Sequence, residues 1–369
     1  MKTPSPDRSI ESATTGFDDC GLPFISDVGP RGGAQACARA AVARWPTRLV
    51  IALLVCCASR MAGAAGVSTT VVPLSGQDPA LEVLVWSPCK LPPSAMRMGP
   101  FDVRASKGCA VAGRSLPLVV ISHGQGGTRL SHHDTATALA AAGFVVASFN
   151  HPGDSYGDDA LTDKLTIFES RPAQVSRVIS HMIEHWKDRD SINTQAIGVF
   201  GFSRGGYTAL ALAGAAPSGA AAASRFCGLW RSLVIPMCRQ FGGSNTTLKA
   251  QADVRVKAVV VADPLNLFDA SSFTAFKVPV QLWASEFGGA GVELAHTRQI
   301  RAWLPQAPDI VVAKGAGHFA FLTPCPEALR KEARAICEDA KGFDRTQWHT
   351  TMNVAVAEFF MKSFRSGQK

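Results

Sequence analysis

The stretch Ala196-Ile-Gly-Val-Phe-Gly-Phe-Ser-Arg-Gly-Gly-Tyr-Thr-Ala-Leu210 decides how this chain is read. Its first half, Ile197 to Phe200, is a short apolar run with the length and β-branched content of a buried strand. From Arg204 on it is Ala/Leu-rich and predicts a helix. Between them stands Gly201-Phe-Ser203-Arg-Gly205, a serine with a glycine two residues away on either side. A G-x-S-x-G turn joining a strand to a helix is a nucleophile elbow. The turn is so tight that a Cβ at either glycine would collide with the neighbouring strand or helix. It would hold the Ser203 hydroxyl clear of the sheet, at a helix N-terminus whose dipole favours negative charge. In a chain with 33 glycines the pattern alone is weak. The strand before it and the helix after it make it specific.

Outward from the elbow, strands and helices alternate. Leu81 to Trp86 and Leu118 to Ser122 read as strands, joined by a Pro- and Gly-rich connection that carries Cys89 and Cys109. Ser131-His-His-Asp134 has the S-x-x-D spacing of a capping box, ahead of a helix from Thr135 to Ala142 that Gly143 ends. Phe144 to Phe149 is the next strand. Arg171 to Trp186 places Val175, Val178, Ile179, Met182 and Trp186 on one helical face. Beyond the elbow, Gly214 to Gln251 breaks the rhythm: it is Ala/Gly/Ser-rich, carries Cys227 and Cys238, and reads as a lid-like insertion. Val256 to Ala262, Val278 to Ala284 and the short Ile310 to Ala313 read as strands, and Thr346 to Phe364 as a terminal helix. The alternation predicts an α/β fold, a mostly parallel central sheet with helices on both faces.

At 369 residues and 47% hydrophobic content the chain can bury a large core. The charge of +8 is moderate and its Lys and Arg are scattered, so no nucleic-acid groove is expected. Ten cysteines fall into two groups. Cys20, Cys37, Cys56 and Cys57 precede residue 60. Cys89, Cys109, Cys227, Cys238, Cys325 and Cys337 form three sequence-local pairs, as expected of disulfides in an oxidising compartment, although spacing leaves their connectivity open. Metal-ligand C-x-x-C spacing is absent, and neither metal nor cofactor is expected. Leu49 to Ala58 follows Arg44 and Arg48 and leads into small residues around Ala64, the grammar of a secretory signal peptide over 44–64. About ten apolar residues are too few to span a bilayer. We expect translation to begin near Val42 on an alternative start codon, which makes 1–43 an artefact of start-site assignment, or else a disordered extension. The α/β domain then runs over 65–369, with its insertion at about 214–251.

A serine hydroxyl at neutral pH needs a base, and the base needs a carboxylate to orient it. In this architecture they follow in the order Ser, acid, His. His318, in the glycine-rich Lys314-Gly-Ala-Gly-His-Phe319 after the last strand, can swing over the strand ends toward Ser203. The acid is Asp263, at the end of Val256 to Ala262, or Glu286, after the next strand; Asp263 is favoured because Gly288 replaces an aspartate often seen two residues after such a glutamate. Ser122-His-Gly-Gln-Gly-Gly127 is the expected oxyanion loop, its Gln125 N–H pairing with that of Arg204. A phosphate loop would need a Lys-Ser/Thr ending, which is missing. His123 is expected to pack beneath the loop, and His132 and His133 to be surface or capping residues.

With those residues in place, the chain resembles secreted bacterial α/β-hydrolases of the dienelactone hydrolase type, close to the platelet-activating-factor acetylhydrolase-like group. The stretches that carry the likeness are LPLVVISHGQGGTRLSHHDTATALAAAGFVVASFNHPGD, SRPAQVSRVISHMI, IGVFGFSRGGYTAL, VPVQLWASE and GAGHFAFLTPC. The resemblance implies Ser203 as nucleophile, His318 as base and oxyanion donors at Gln125 and Arg204; the acetylhydrolase-like members imply Asp263 as acid. Dienelactone hydrolases proper use a cysteine nucleophile, so Ser203 argues against that substrate. The reading is a secreted or periplasmic serine hydrolase of carboxylic esters, lipid-like, polyester or short-chain acyl. It works without a cofactor, its partner a small-molecule or lipid-like ester and its oligomeric state open. The alternatives are a serine peptidase, an acyltransferase, or a hydrolase-fold binding protein without catalysis.

Overall fold

The computed structural model describes residues 63–227, 236–241 and 248–366. The proposed extension and most of the proposed signal peptide lie outside these residues, as do Cys20, Cys37, Cys56 and Cys57. The chain opens with β1 (Ala64–Val72), β2 (Leu81–Cys89), β3 (Ser94–Met98), β4 (Phe101–Lys107) and β5 (Leu116–Ser122). It continues through α1 (His133–Ala141), β6 (Val145–Phe149), α2 (Ile167–Glu184), β7 (Ile192–Phe202) and α3 (Arg204–Leu212). After the short α4 (Gly219–Phe226) and α5 (Pro236–Gln240) come β8 (Val256–Ala262), β9 (Val280–Ser285), α6 (Leu294–Trp303) and β10 (Ile310–Ala313). Two short helices, α7 (Glu327–Glu332) and α8 (Arg334–Cys337), precede the long α9 (Arg345–Ser366).

All ten strands form one sheet in the order β10-β9-β8-β7-β5-β6-β2-β1-β4-β3. The six from β10 to β6 are parallel, and β2 joins them antiparallel through β6. Buried parallel strands carry apolar residues on both faces. Leu118 and Val120 of β5, and Val259 and Val261 of β8, meet α2, α3 and α6. Their neighbours Val119, Ile121, Ala258 and Val260 meet α1 and α9. The chain leaves β5 toward β6 on one side and leaves β7 toward β8 on the other, although β5 and β7 are neighbours. That reversal falls at the carboxyl ends of β5 and β7, the place where open α/β sheets hold ligands.

The strands read at Val256–Ala262 and Ile310–Ala313 coincide with the observed ones. Other elements differ for physical reasons. The helix expected from Arg171 begins at Ile167 and encloses Pro172. Proline has no N–H for the Phe168 carbonyl; that carbonyl instead accepts a hydrogen bond from the Tyr207 hydroxyl at 3.1 Å. The expected capping box at Ser131 does not form: Ser131 Oγ accepts from the Thr128 N–H, and Asp134 turns to His349 and Asn353 of α9. His132 is buried, its ring set edge-on against Phe200 and Phe202, not a surface residue. His133 meets the Thr323 hydroxyl. In the Pro/Gly-rich connection lie two strands, β3 and β4. Disulfides join Cys89 to Cys109, Cys227 to Cys238 and Cys325 to Cys337, the three sequence-local pairs. Among the described residues no helix is long and apolar enough to cross a membrane.

Residues read as a lid-like insertion pack, where described, into the core beside α2 and α3: Ala215, Ala222, Phe241 and Leu248 are buried there, with Phe226 against them. Gln240 of α5 accepts from the Leu165 N–H and donates to the Asp163 carbonyl, just ahead of α2. Leu229, Trp230, Leu233 and Val234, which with Phe226 make the insertion apolar enough to suggest a lipid-like or acyl substrate, lie outside the described residues.

Candidate active site

Ser203 follows β7 and caps α3 at φ 55°, ψ −117°, a positive-φ conformation that costs a side-chain-bearing residue of order 1–3 kcal/mol. The glycines on either side are sterically required. A Cβ at Gly201 would lie 2.1 Å from the Gly205 carbonyl oxygen, and one at Gly205 would lie 1.9 Å from the Ser122 carbonyl oxygen. The turn is pinned on the β8 side as well: the Ser203 N–H donates to the Ala262 carbonyl, and the Leu265 N–H donates to the Ser203 carbonyl, both at 2.9 Å.

His318 opens a single 3-10 turn, His318–Phe321, after β10. Its N–H donates to the Gly288 carbonyl at 2.7 Å, and its ring packs on Phe202 with centroids 4.6 Å apart. The imidazole Nε2 stands 3.1 Å from Ser203 Oγ, and Nδ1 stands 3.0 Å from Asp263 Oδ2. The network assigns Nδ1–H to the carboxylate and leaves Nε2 to accept from the serine hydroxyl. Asp263, at φ 42°, is fully buried and His318 only 2% exposed, while Ser203 is half-buried and open to a ligand.

Asp263 is fixed from β9. The Ser285 N–H donates to Oδ1 at 2.8 Å and the Ser285 hydroxyl to Oδ2. Glu286 lies one residue on but faces outward, accepting from the Gly315 N–H at 2.7 Å. Of the two candidate acids, Asp263 is therefore the one that reaches His318. Gly288 could not hold an aspartate: at φ 64° a Cβ there would sit 2.4 Å from the Val292 carbonyl oxygen.

The 122–127 loop closes the site on the β5 side. A Cβ on Gly124 would lie 3.2 Å from that of Ser203, so this loop rests directly on the elbow. The Arg204 N–H is at the first position of α3, where no intrahelical acceptor exists. His123 lies beneath, as expected, donating from Nδ1 to the Gly124 carbonyl and accepting at Nε2 from the His151 N–H. His151 donates in turn to Gln174 and accepts from the Ser122 hydroxyl. Burial, reinforced by the Arg171 charge, holds both imidazoles well below the usual histidine range, so they are neutral spacers.

Sequence reasoning missed Asp154 and Arg171, and read Arg204 only through its N–H, although the side chains of all three crowd this loop. Asp154, fully buried after β6, is ion-paired with Arg171 and, at 2.8 Å, with the Arg204 side chain. Burial lowers both guanidinium pKa values, that of Arg171 to about 10, and both stay charged at neutral pH. Asp154 stood in view in the His-Pro-Gly-Asp154 run, but nothing local announces partners 17 and 50 residues away. Among the described residues no group of His, Cys, Asp and Glu is arranged to hold a metal ion.

Residues 107–335 match the model of the dienelactone hydrolase family. Among solved structures, a ferulic acid esterase from Streptomyces cinnamoneus is similar, at 20% identity over 84% of this chain and 92% of that one, with a TM-score of 0.57. A dienelactone hydrolase from Anabaena variabilis aligns at 17% identity over 81% of this chain and 98% of that one, with a TM-score of 0.44. The likeness to the esterase structure, with the sheet order above, identifies the α/β-hydrolase fold. No curated protein matches the sequence.

Proposed function

The chain belongs to the dienelactone hydrolase family, and from that premise we propose that it is a serine hydrolase of carboxylic esters working through Ser203, His318 and Asp263. The observation that carries this reading is the relay of Ser203 Oγ, His318 and Asp263 at 3.1 and 3.0 Å on a strained elbow. His318 Nε2 takes the Ser203 proton as Oγ attacks the ester carbonyl. Asp263, itself held by Ser285, stabilises the imidazolium that forms. The tetrahedral oxyanion is received by the N–H groups of Gln125 and Arg204, a contribution typically worth 10²–10³ in rate per donor. His318 then protonates the departing alkoxide, and water, activated by the same imidazole, releases the acyl group from Ser203. No step calls for a cofactor.

Three disulfides suit an oxidising compartment. Together with the signal grammar over 44–64 they support export to the periplasm or beyond. The test of the reaction is labelling with a fluorophosphonate followed by mass spectrometry of the modified peptide. Modification at Ser203, lost in His318→Ala, together with a fall in ester turnover of several orders of magnitude in Ser203→Ala, is the expected result. A folded protein that resists the label, or a Ser203→Ala variant with near-normal turnover, refutes the assignment.

A further inference from the structure

Asp154 is a hub. Its Oδ2 receives Arg171 Nη1, and its Oδ1 receives Arg204 Nη1 at 2.8 Å and the Thr162 hydroxyl. The other arm of each guanidinium goes to one place. Arg171 Nη2 donates to the His123 carbonyl, and Arg204 Nη2 donates to Gln125 Oε1 at 2.7 Å. The Asp154 carbonyl adds a third hold, accepting from the Gly126 N–H at 3.3 Å. The loop is thus gripped at three points from one buried residue: at His123 and Gln125 through the arginines that its carboxylate holds, and at Gly126 through its main-chain carbonyl.

Stability alone does not explain this arrangement. Burying two guanidiniums against one carboxylate is costly, and well-packed apolar residues of similar volume are often as stable or more so. The arrangement also leaves one positive charge unbalanced in the buried cluster; Asp163, the other carboxylate acting on Arg204, is exposed. An uncompensated cation in low dielectric behind a loop favours negative charge in front of it. Arginine suits the task because its planar fork makes two directed hydrogen bonds at once, which a lysine ammonium does not.

We propose that the side chains of Asp154, Arg171 and Arg204 are positioning residues that hold the Gln125 loop in the geometry that receives the oxyanion, with Arg204 acting through the Gln125 carboxamide. This rests on the assignment of Ser203 as nucleophile and of the Gln125 and Arg204 amides as oxyanion donors. Substitution of either side chain keeps its backbone N–H, so what is lost is the aim of the donors.

The test is a double-mutant cycle on Arg204→Met and Gln125→Met, with p-nitrophenyl butyrate as substrate and an aryl trifluoromethyl ketone as mimic of the tetrahedral adduct. Arg204→Met should lower kcat by roughly 30-fold with KM changed by no more than about twofold, and weaken the ketone by about the same factor as kcat. Gln125→Met, at an exposed position that leaves the buried ion pairs intact, should lower kcat by about 10-fold. The double variant should be no worse than Arg204→Met alone, because both break one link. Arg204→Lys should restore part of the loss. Wild-type kcat in either single variant, or effects that multiply in the double variant, overturns the proposal. Should Arg204→Met not fold, Gln125→Met and Arg204→Lys decide it by the same criteria. Fluorophosphonate labelling of the wild type separates the two failures: no label defeats the serine assignment, whereas a labelled Ser203 with indifferent Arg204 and Gln125 variants defeats only this one.

Discussion

Acidification should destabilise this fold well before its carboxylates titrate, and three buried histidines set the size of the effect. His123, His132 and His151 are each no more than 2% exposed. Burial lowers the His132 pKa from 6.5 to about 4, against the opposing pull of the Asp134 charge and the Phe321 main chain. Between those two values the unfolded chain binds a proton that the fold refuses. Unfolding free energy therefore falls as pH drops from 6.5 toward 4. For His132 the difference between pH 7 and pH 5 is about 2 kcal/mol. His123 and His151, also held neutral by burial, act in the same direction. Asp134, kept well below the ordinary carboxylate range by His349 and Asn353 against its burial, contributes only at lower pH. Its stabilisation is present above the unfolded value of 3.8 and is lost as pH falls below it. Guanidinium unfolding followed by tryptophan fluorescence at pH 7, 6 and 5 measures the slope, and His132→Phe should remove about 2 kcal/mol of the change between pH 7 and 5. A midpoint and m-value unchanged from pH 7 to 5, or a wild-type slope in His132→Phe, refutes the reasoning.

Two further substitutions probe the elbow and the acid. Asp263→Asn keeps the Ser285 N–H bound but presents an NH₂ to His318 Nδ1, which favours the tautomer with hydrogen on Nε2. Steady-state kinetics should show kcat lower by about 10⁴ with the fold retained. Gly201→Ala must place a methyl 2.1 Å from the Gly205 carbonyl oxygen, and thermal melts should show a loss of more than about 3 kcal/mol, or no folded protein.

The parts of the fold written in short windows were readable. Gly201 to Gly205 carries its own geometry, and β8 and β10 announce themselves as β-branched runs. Partnerships across the chain were not. Asp263 and Glu286 both follow strands that end at the same sheet edge, and residue order alone leaves either able to serve; backbone direction at Asp263, φ 42°, turns one carboxylate inward while Glu286 is drawn out to Gly315. Pro172 concealed the start of α2, because the hydroxyl that answers the spare Phe168 carbonyl comes from Tyr207, on α3. In β4 the alternation was present, with Phe101, Val103 and Ala105 buried between exposed Asp102 and Arg104, but its setting among prolines and glycines masked it. His132 looked like a surface residue because polarity is local, whereas the aromatic pocket of Phe200 and Phe202 that buries it is formed by β7.

Strain at the site is shared between two residues. Ser203 and Asp263 both hold positive φ, and a side-chain-bearing residue keeps such a conformation only where its surroundings over-determine it. Here each constrains the other. The Ser203 N–H is anchored on Ala262, the residue before Asp263, and the Ser203 carbonyl on Leu265, two residues after it, while the Asp263 N–H is anchored on Trp283. Pro264, between those contacts, lies under α3 so closely that a Cβ on Gly206 would come within 2.9 Å of its Cα. Ser203 and Asp263 are therefore set by one block of backbone built from the ends of β7 and β8. His318 reaches that block through a separate loop, anchored on Gly288 and on the Phe202 ring.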